Sequence, residues 1–447
     1  MERLANRLCR LVFAGLAAST IGAAHADSTV RLTGTALQRI DGFGASDAWL
    51  AGGVRAFSPT VRARILDTLF SPASGAGLSL LRHRVPYAIE PSQGVWDWTQ
   101  DGDSIWLQHE AEQRGVVATW STVWSPPAWM KSNGDVNNGG YVLPEHYQDY
   151  ADYLAAYLKQ YHDLLGADIS GVSIQNEPDI TASYESCLWS SQQFHDFIKY
   201  FLKPTFRAAN IHAKVIMPER SGWFDDYAYD TLNDPDTASF VDVVAAHQYW
   251  GTIQPFTDAT AEGKTVWETE VSNLGQNDPS INDGLYWAEM IHHTLVDAQA
   301  NAWHYWWLYC DSSFTSTGQS LILGDSPSNT FFVNKRLWTI GNFSRFVRPG
   351  CNMVGVSSNY PESGVFVSAF GYGSSAQTVV AINANNWPTG LTVQGLGKGL
   401  GAVNAYRTST TENLSFAGSQ LVPAGMFSFQ LDPMSVTTFV RSGPAVP

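Results

Sequence analysis

Two short segments of this chain carry residues fit for acid–base chemistry. They are Ser173-Ile174-Gln175-Asn176-Glu177-Pro178-Asp179 and Thr265-Val266-Trp267-Glu268-Thr269-Glu270. Each is an apolar, strand-like run that ends in a glutamate. Two carboxylates facing each other across a cleft are the minimum equipment for cutting a glycosidic bond. Asn176, just before Glu177, can hydrogen-bond a sugar hydroxyl next to the scissile carbon. Pro178 has no N–H to continue a ladder and stops the strand. A lone strand-end glutamate is ordinarily a solvated surface group. Two of them, one inside Asn-Glu-Pro, fit that reading poorly.

The elements that must position them are legible. Strand-like runs at 40–45, 78–83, 116–122, 171–175, 214–218, 241–247, 265–269 and 301–307 alternate with helical stretches. The clearest helix is expected over 144–165, where Tyr147, Tyr150, Leu154, Tyr157, Leu158 and Tyr161 recur at three and four residues and Gly166 can close the end. Ser190 or Ser191 can cap the next one, and helices are also expected over 286–298 and 335–346. The fold class is therefore α/β, a (β/α)8 barrel across residues 40–345. In such a barrel reactive groups sit at the C-terminal ends of strands. Glu177 ends the fourth and Glu270 the seventh, so both belong to the mouth. After Arg348-Pro349-Gly350 the texture becomes short alternating strands at 353–358, 364–370, 378–383, 390–394, 426–431 and 435–440. Residues 346–447 read as a side β-sandwich. A strand within 27–39, ahead of the barrel, can join it, so the sandwich is built from both chain ends.

Bulk properties bound the rest. The chain has 447 residues, 44% of them hydrophobic, and a formal net charge of −15. That excludes global disorder and makes a poor non-specific binder of nucleic acid or anionic membrane. The 17 Trp, 18 Tyr and 22 Phe are mostly core material, yet flat rings with polar edges also suit sugars. Residues 1–26 have the layout of an export signal: Arg3, Arg7 and Arg10, an apolar stretch over 11–23, and Ala24-His25-Ala26 before the expected cut. The product is expected to be secreted or periplasmic, monomeric, and without a membrane span. Without Cys9 three cysteines remain, an odd number, and no spacing resembles a zinc site. No metal or cofactor is expected, and the adjacent His292 and His293 read as structural.

An Asn-Glu-Pro on strand four with a glutamate on strand seven resembles the large clan of retaining barrel glycosidases, and within it glycoside hydrolase family 30. The resemblance rests on Asp41-Gly42-Phe43-Gly44-Ala45-Ser46, Ser125-Pro126-Pro127-Ala128-Trp129-Met130-Lys131, the two glutamate segments, Ser344-Arg345-Phe346-Val347-Arg348-Pro349-Gly350, and the run from Leu431 to Phe439. It implies that Glu177 is the acid/base and Glu270 the nucleophile. Glu268 falls where the family varies and reads as a bystander. Arg82 and Tyr249 are candidates for keeping Glu270 ionised, with a structural ion pair as the other reading of Arg82. His247 can orient its neighbours or be a satisfied core histidine. The resemblance also implies sugar platforms among Trp124, Trp129, Trp306 and Trp307, with Trp124 and Trp307 favoured. Asn133, Asn137 and Asn138 lie in a Gly-rich loop that can donate to hydroxyls.

The segment from Ser183 to Ser190 is similar to the bacterial xylanase branch, which cuts β-1,4-xylan by double displacement, often guided by a glucuronic acid side group. The guiding arginine of that branch would follow Trp306-Trp307, where this chain has Leu308-Tyr309-Cys310-Asp311. A strict need for glucuronic acid is not expected. The expected substrate is a plant cell-wall polysaccharide or oligosaccharide. An endo-β-1,6-galactanase or β-1,6-glucanase is the rival enzyme, and a non-catalytic carbohydrate-binding protein the rival of another class. The polar stretch 311–334 is expected to wall one end of the cleft. Cys187 and Cys310, both on mouth loops, are candidates for a disulfide.

Overall fold

The computed structural model describes residues 28–312, 317–360, 363–373, 375–396 and 401–441. The expected export signal lies outside them. All eight expected barrel strands form, in chain order: Gly42–Ser46, Leu80–Arg84, Ala118–Thr122, Gly171–Ser173, Lys214–Arg220, Val243–Ala246, Thr265–Glu268 and Ala302–Asp311. Each is parallel to its neighbours, and the eighth pairs with both the first and the seventh, which closes the barrel. Its lumen is filled by Leu80, Trp120, Ile216, Val243, Ala245, Trp267 and Ala302. Parallel strands wrapped by helices on one side and a packed lumen on the other are apolar on both faces, which is why they read as apolar runs.

Glycine enters where a neighbour leaves no room. A Cβ on Gly44 would lie 2.6 Å from His304 Cδ2 and 2.7 Å from the Leu80 carbonyl oxygen. The helix Tyr147–Leu165 buries the tyrosine and leucine stripe expected of it. Gly166 ends it in the left-handed region at φ 63, where glycine carries no Cβ penalty. Ser190 caps Ser191–Phe197 through a reciprocal bond pair with Gln193.

The stretch after strand eight is not a free polar loop. The eighth strand runs on to Asp311, Ser320–Asp325 pairs parallel to it, and Thr330–Val333 folds back antiparallel. A short ladder joins Thr317–Gly318 to Asn273–Gln276 of the loop after strand seven. Residues 313–316 lie outside the described set.

Among the described residues the second body is a nine-stranded sheet folded on itself. Ser28–Arg39 lies inside it, antiparallel to Asn352–Tyr360 and parallel to Thr389–Gln394. Two strands missed by sequence, Ala402–Thr408 and Ser415–Leu421, complete one end. Phe427 and Phe429 from the other end pack on Phe439, with ring centroids 4.8 and 5.0 Å apart, making a sandwich core. The last helix, Lys335–Ser344, is the seam between the bodies: Asn342 exchanges bonds of 2.9 and 2.7 Å with Thr438. No helix among the described residues is long and apolar enough to cross a membrane.

Arg336 in that helix is fully buried. It holds Asp283 at 2.6 Å, Asn277 at 2.9 Å and the carbonyls of Gly318 and Ser320. Arg336→Met strands Asp283 as a buried, unpaired charge, so a loss of about 3–5 kcal/mol is expected. Denaturant unfolding checks it, and a loss under about 1 kcal/mol would contradict this role.

Candidate active site

The mouth of the barrel is organised around Arg82, at the middle of the second strand and wholly buried. Its Nη1 donates to Glu270 Oε2. Its Nη2 donates to Asn176 Oδ1 at 2.7 Å and Glu219 Oε1 at 3.0 Å. Its cationic plane is walled by Trp120, Trp124 and Trp306, whose ring centroids lie 5.3, 4.6 and 5.7 Å away. Tyr249 donates its hydroxyl to the other Glu270 oxygen, Oε1, at 2.9 Å. On the facing side His247 Nδ1 meets Glu177 Oε1 at 3.1 Å, and its Nε2 lies 3.6 Å from Glu219 Oε1. Glu177, His247 and Glu270 each bring one donor atom to within 4.8 Å of the others.

Two of these carboxylates sit on strained backbone. Glu177 has φ 44 and Glu219 φ 53, a region that glutamates seldom occupy and that is tolerated where surroundings over-determine it. Glu219 was not singled out from sequence. It follows Pro218 directly after the expected fifth strand, so the strand-end rule that found Glu177 applied there too. It is fully buried, and Thr122 donates to its second oxygen at 2.5 Å.

Electrostatics separates the groups. Burial pushes the Glu177 carboxyl above its usual range; the hydrogen bond from His247 opposes this and the charge of Glu270 adds to it. Burial also works against Glu219, but the Arg82 charge and His247 outweigh it and bring that carboxyl to about 2. His247 is opposed by burial yet lifted to about 10 by Glu270, Glu177 and Glu219. Burial first, and then Glu270, drives the Tyr249 hydroxyl well up, so it stays a donor. A protonated His247 has no free lone pair and Arg82 already holds Glu270. The donor set therefore suits a proton and a sugar better than a metal cation.

The aromatic candidates divide. Trp124 and Trp306 pack 5.5 Å apart, Trp306 stacks on Trp307 at 5.0 Å, and all three share one cluster beside Arg82. Trp49, missed by sequence, lies edge-on to Trp124 and Trp306 at 5.1 and 6.1 Å and is 43% exposed, so it presents open ring surface at the rim. Its indole N–H reaches Glu185 at 3.2 Å, and Glu185 takes two bonds from Arg84, at 3.0 and 2.9 Å. That clasp ties the loops after strands one and four to the end of strand two. Trp129 is elsewhere: its N–H donates to the Glu90 carbonyl at 3.0 Å and its ring packs on His146. Asn133 and Asn138 spend their amides inside their own loop, on Asn137 and Asp135. The expected disulfide is absent: Cys187 and Cys310 are free, buried thiols. Cys187 packs on the helix side with Tyr150 and Trp189, whereas Cys310 packs among Trp124, Trp306 and Trp307, so the two belong to different cores.

Glu268 is also wholly buried. Its Oε1 accepts the Glu270 N–H at 3.0 Å and its Oε2 the His304 N–H at 2.9 Å. Burial pushes this carboxyl up to about 8, against those two bonds.

Comparison with known proteins decides the family. Residues 103–347 match the model of the glycosyl hydrolase family 30 TIM-barrel domain. The chain belongs to glycoside hydrolase family 30. It is 27% identical to glucuronoxylanase XynC of Bacillus subtilis over 376 residues, covering 81% of each chain. It superposes on the family 30 subfamily 8 xylanase Xyn30A of Clostridium acetobutylicum with a TM-score of 0.79 and 32% identity, covering 93% of this chain and 100% of the other. It is also 25% identical to an endo-1,6-β-D-glucanase of Neurospora crassa, over 78% of this chain and 77% of that one. As a member of this family the chain is a glycosidase.

The buried charges fix the sign of the stability–pH profile. Glu219 lies below its ordinary 4.5, so its contribution is present above that value and lost as pH falls toward 2. His247 and Glu268 lie above their ordinary 6.5 and 4.5, so theirs are present in acid and lost as pH rises through about 10 and about 8. Thermal melts are expected to be highest near about pH 5 and to fall on both sides. A maximum at pH 8–9 would contradict these assignments. Separately, Glu270→Gln removes a charge that raises Glu177. Carbon-13 NMR is therefore expected to show Glu177 titrating lower in that variant, and an unmoved titration would mean the pair is uncoupled.

Proposed function

We propose that this protein is an exported, retaining β-glycanase that hydrolyses β-1,4-xylan. Glu177 serves as acid/base and Glu270 as nucleophile. The observation that carries the reading is the closeness of the two carboxylates, which bring one oxygen each to within 4.8 Å of the other. Retaining enzymes hold the pair at about 5–5.5 Å, and inverting enzymes leave about 6.5–9.5 Å for a water.

The groups fit the two steps. Arg82 and Tyr249 bind both Glu270 oxygens, which holds the carboxylate in place and aims it at the anomeric carbon. Glu270 forms a bond to that carbon as the glycosidic C–O bond breaks, and Glu177 gives its proton to the departing oxygen. Glu177 then takes a proton from water, which attacks the same carbon and releases Glu270. With Arg82 and His247 cationic and Glu219 and Glu270 anionic, the buried site is neutral while Glu177 holds its proton. Trp49 offers the open apolar face on which a pyranose ring can stack, whereas the expected platforms Trp124 and Trp307 are buried, with Trp306, in the cluster behind it.

Xylan is favoured by the kinship with bacterial xylanases. A strict requirement for glucuronic acid side groups is not supported by this chain. Leu308, Tyr309 and Cys310 are buried and Asp311 is acidic, so none offers a uronate a cation. The Neurospora relative makes β-1,6-glucan the second substrate to test.

Glu270→Gln is expected to lower kcat by at least about 10⁴-fold while xylo-oligosaccharide binding persists; retained turnover would sink the assignment. On a panel of glucuronoxylan, arabinoxylan, β-1,6-glucan and β-1,6-galactan, the xylans are expected to be cut, with undecorated stretches cut as readily as decorated ones. Activity confined to a 1,6-linked glucan would transfer the reading to the other branch.

A further inference from the structure

We infer that Glu268 is a positioning residue for Glu270, holding the end of strand seven against strand eight where the backbone ladder does not; this rests on the reading of Glu270 as nucleophile. The ladder between these strands registers at a single pair, Ala302 with Trp267. The next backbone bond beyond it runs from Trp306 N to the Val271 carbonyl at 2.9 Å. Glu270 lies in the interval. What spans the interval is the Glu268 carboxyl, one oxygen on the Glu270 N–H and the other on the His304 N–H.

The partner across the gap is itself locked. The Glu268 carbonyl can only accept, so His304 Nδ1, 2.8 Å away, carries the hydrogen. The Trp120 indole can only donate, so His304 Nε2, 3.2 Å away, accepts. That fixes one neutral tautomer and one ring orientation, consistent with burial pushing His304 down to about 4. Gly44 supplies the space the ring occupies. Strand eight therefore presents an immobile N–H to Glu268, and Glu268 passes that rigidity to the peptide of Glu270. Ionised or protonated, each oxygen of its carboxyl keeps a lone pair for its N–H donor. Glutamine keeps the shape but supplies one acceptor and one NH₂, which would confront an N–H.

The test is the rate at which Glu270 is trapped. The probe is a 2,4-dinitrophenyl 2-deoxy-2-fluoro-β-glycoside of whichever sugar the wild type hydrolyses. Glu270 forms an ester bond to its anomeric carbon while dinitrophenolate leaves with the electron pair, and peptide mass spectrometry locates the label. The first-order rate constant counts only folded sites, so a merely structural role for Glu268 would lower the labelled fraction and leave the rate unchanged. In Glu268→Gln the rate constant is expected to fall on the order of 10- to 100-fold, as for a displaced reacting group. The half-saturating probe concentration is expected to stay within about threefold. A wild-type rate in Glu268→Gln overturns the inference. A wild type labelled anywhere but Glu270 overturns the nucleophile assignment instead, and the inference with it. If the variant does not fold, hydrogen exchange in the wild type decides. Glu270 and His304 amides as protected as the barrel strands support the bridge, and amides exchanging at loop rates refute it.

Discussion

A guanidinium sealed inside a barrel cannot be left alone, and that constraint shapes the mouth of this protein. Arg82 is wholly buried, and removing its charge from water is costly unless carboxylates and aromatic faces surround it. Glu219 and Glu270 supply the charge, Asn176 a further acceptor, and three tryptophans the walls. Each satisfied need has a consequence. Glu219 becomes a fixed anion, and Glu270, Glu177 and Glu219 together hold a proton on His247 against burial. Cationic His247 then bonds Glu177 from the other side. The two glutamates thus stand close together with different partners, which is how one pH can sustain two opposite protonation states.

The surrounding fold is arranged to keep that cluster still. Strands two and five carry Arg82 and Glu219, and the turns directly after strands four, six and seven carry the other members, so its geometry is set by the barrel and by short turns at its rim. Where the barrel is least well laced, between strands seven and eight, Asn301, Glu268 and His304 supply bonds that the ladder lacks. The sandwich is tied to the barrel through Asn342 and Thr438, and to the residues leading into its first strand through the bond from Ile40 N to the Cys351 carbonyl.

Much of this was legible in the sequence because it depended on periodicity. The eight strands, the tyrosine-striped helix and the strand-end glutamates follow from alternation, helical spacing and the rule that barrel chemistry sits at strand ends. What escaped depended on which way a side chain faces. Glu219 was hidden behind Pro218, which reads as a stop although the strand continues to Arg220. Trp129 carries the motif yet faces Glu90. The asparagines after it brace their own loop. Cys187 and Cys310 share the mouth but sit in separate cores. Ser415–Leu421 has no β-branched residue and contains Gly418 at φ 120, so its strand character comes from its neighbour rather than from its composition. Glu268 looked dispensable because sequence shows neither its burial nor its two partners.

The central claim is that two carboxylates this close act by double displacement. The anomeric configuration of the first product tests it most directly, read by proton NMR within minutes of adding enzyme to xylohexaose, before mutarotation. The account predicts that the β-anomer appears first and the α-anomer only later. Initial release of the α-anomer would mean single displacement through a water and would contradict it.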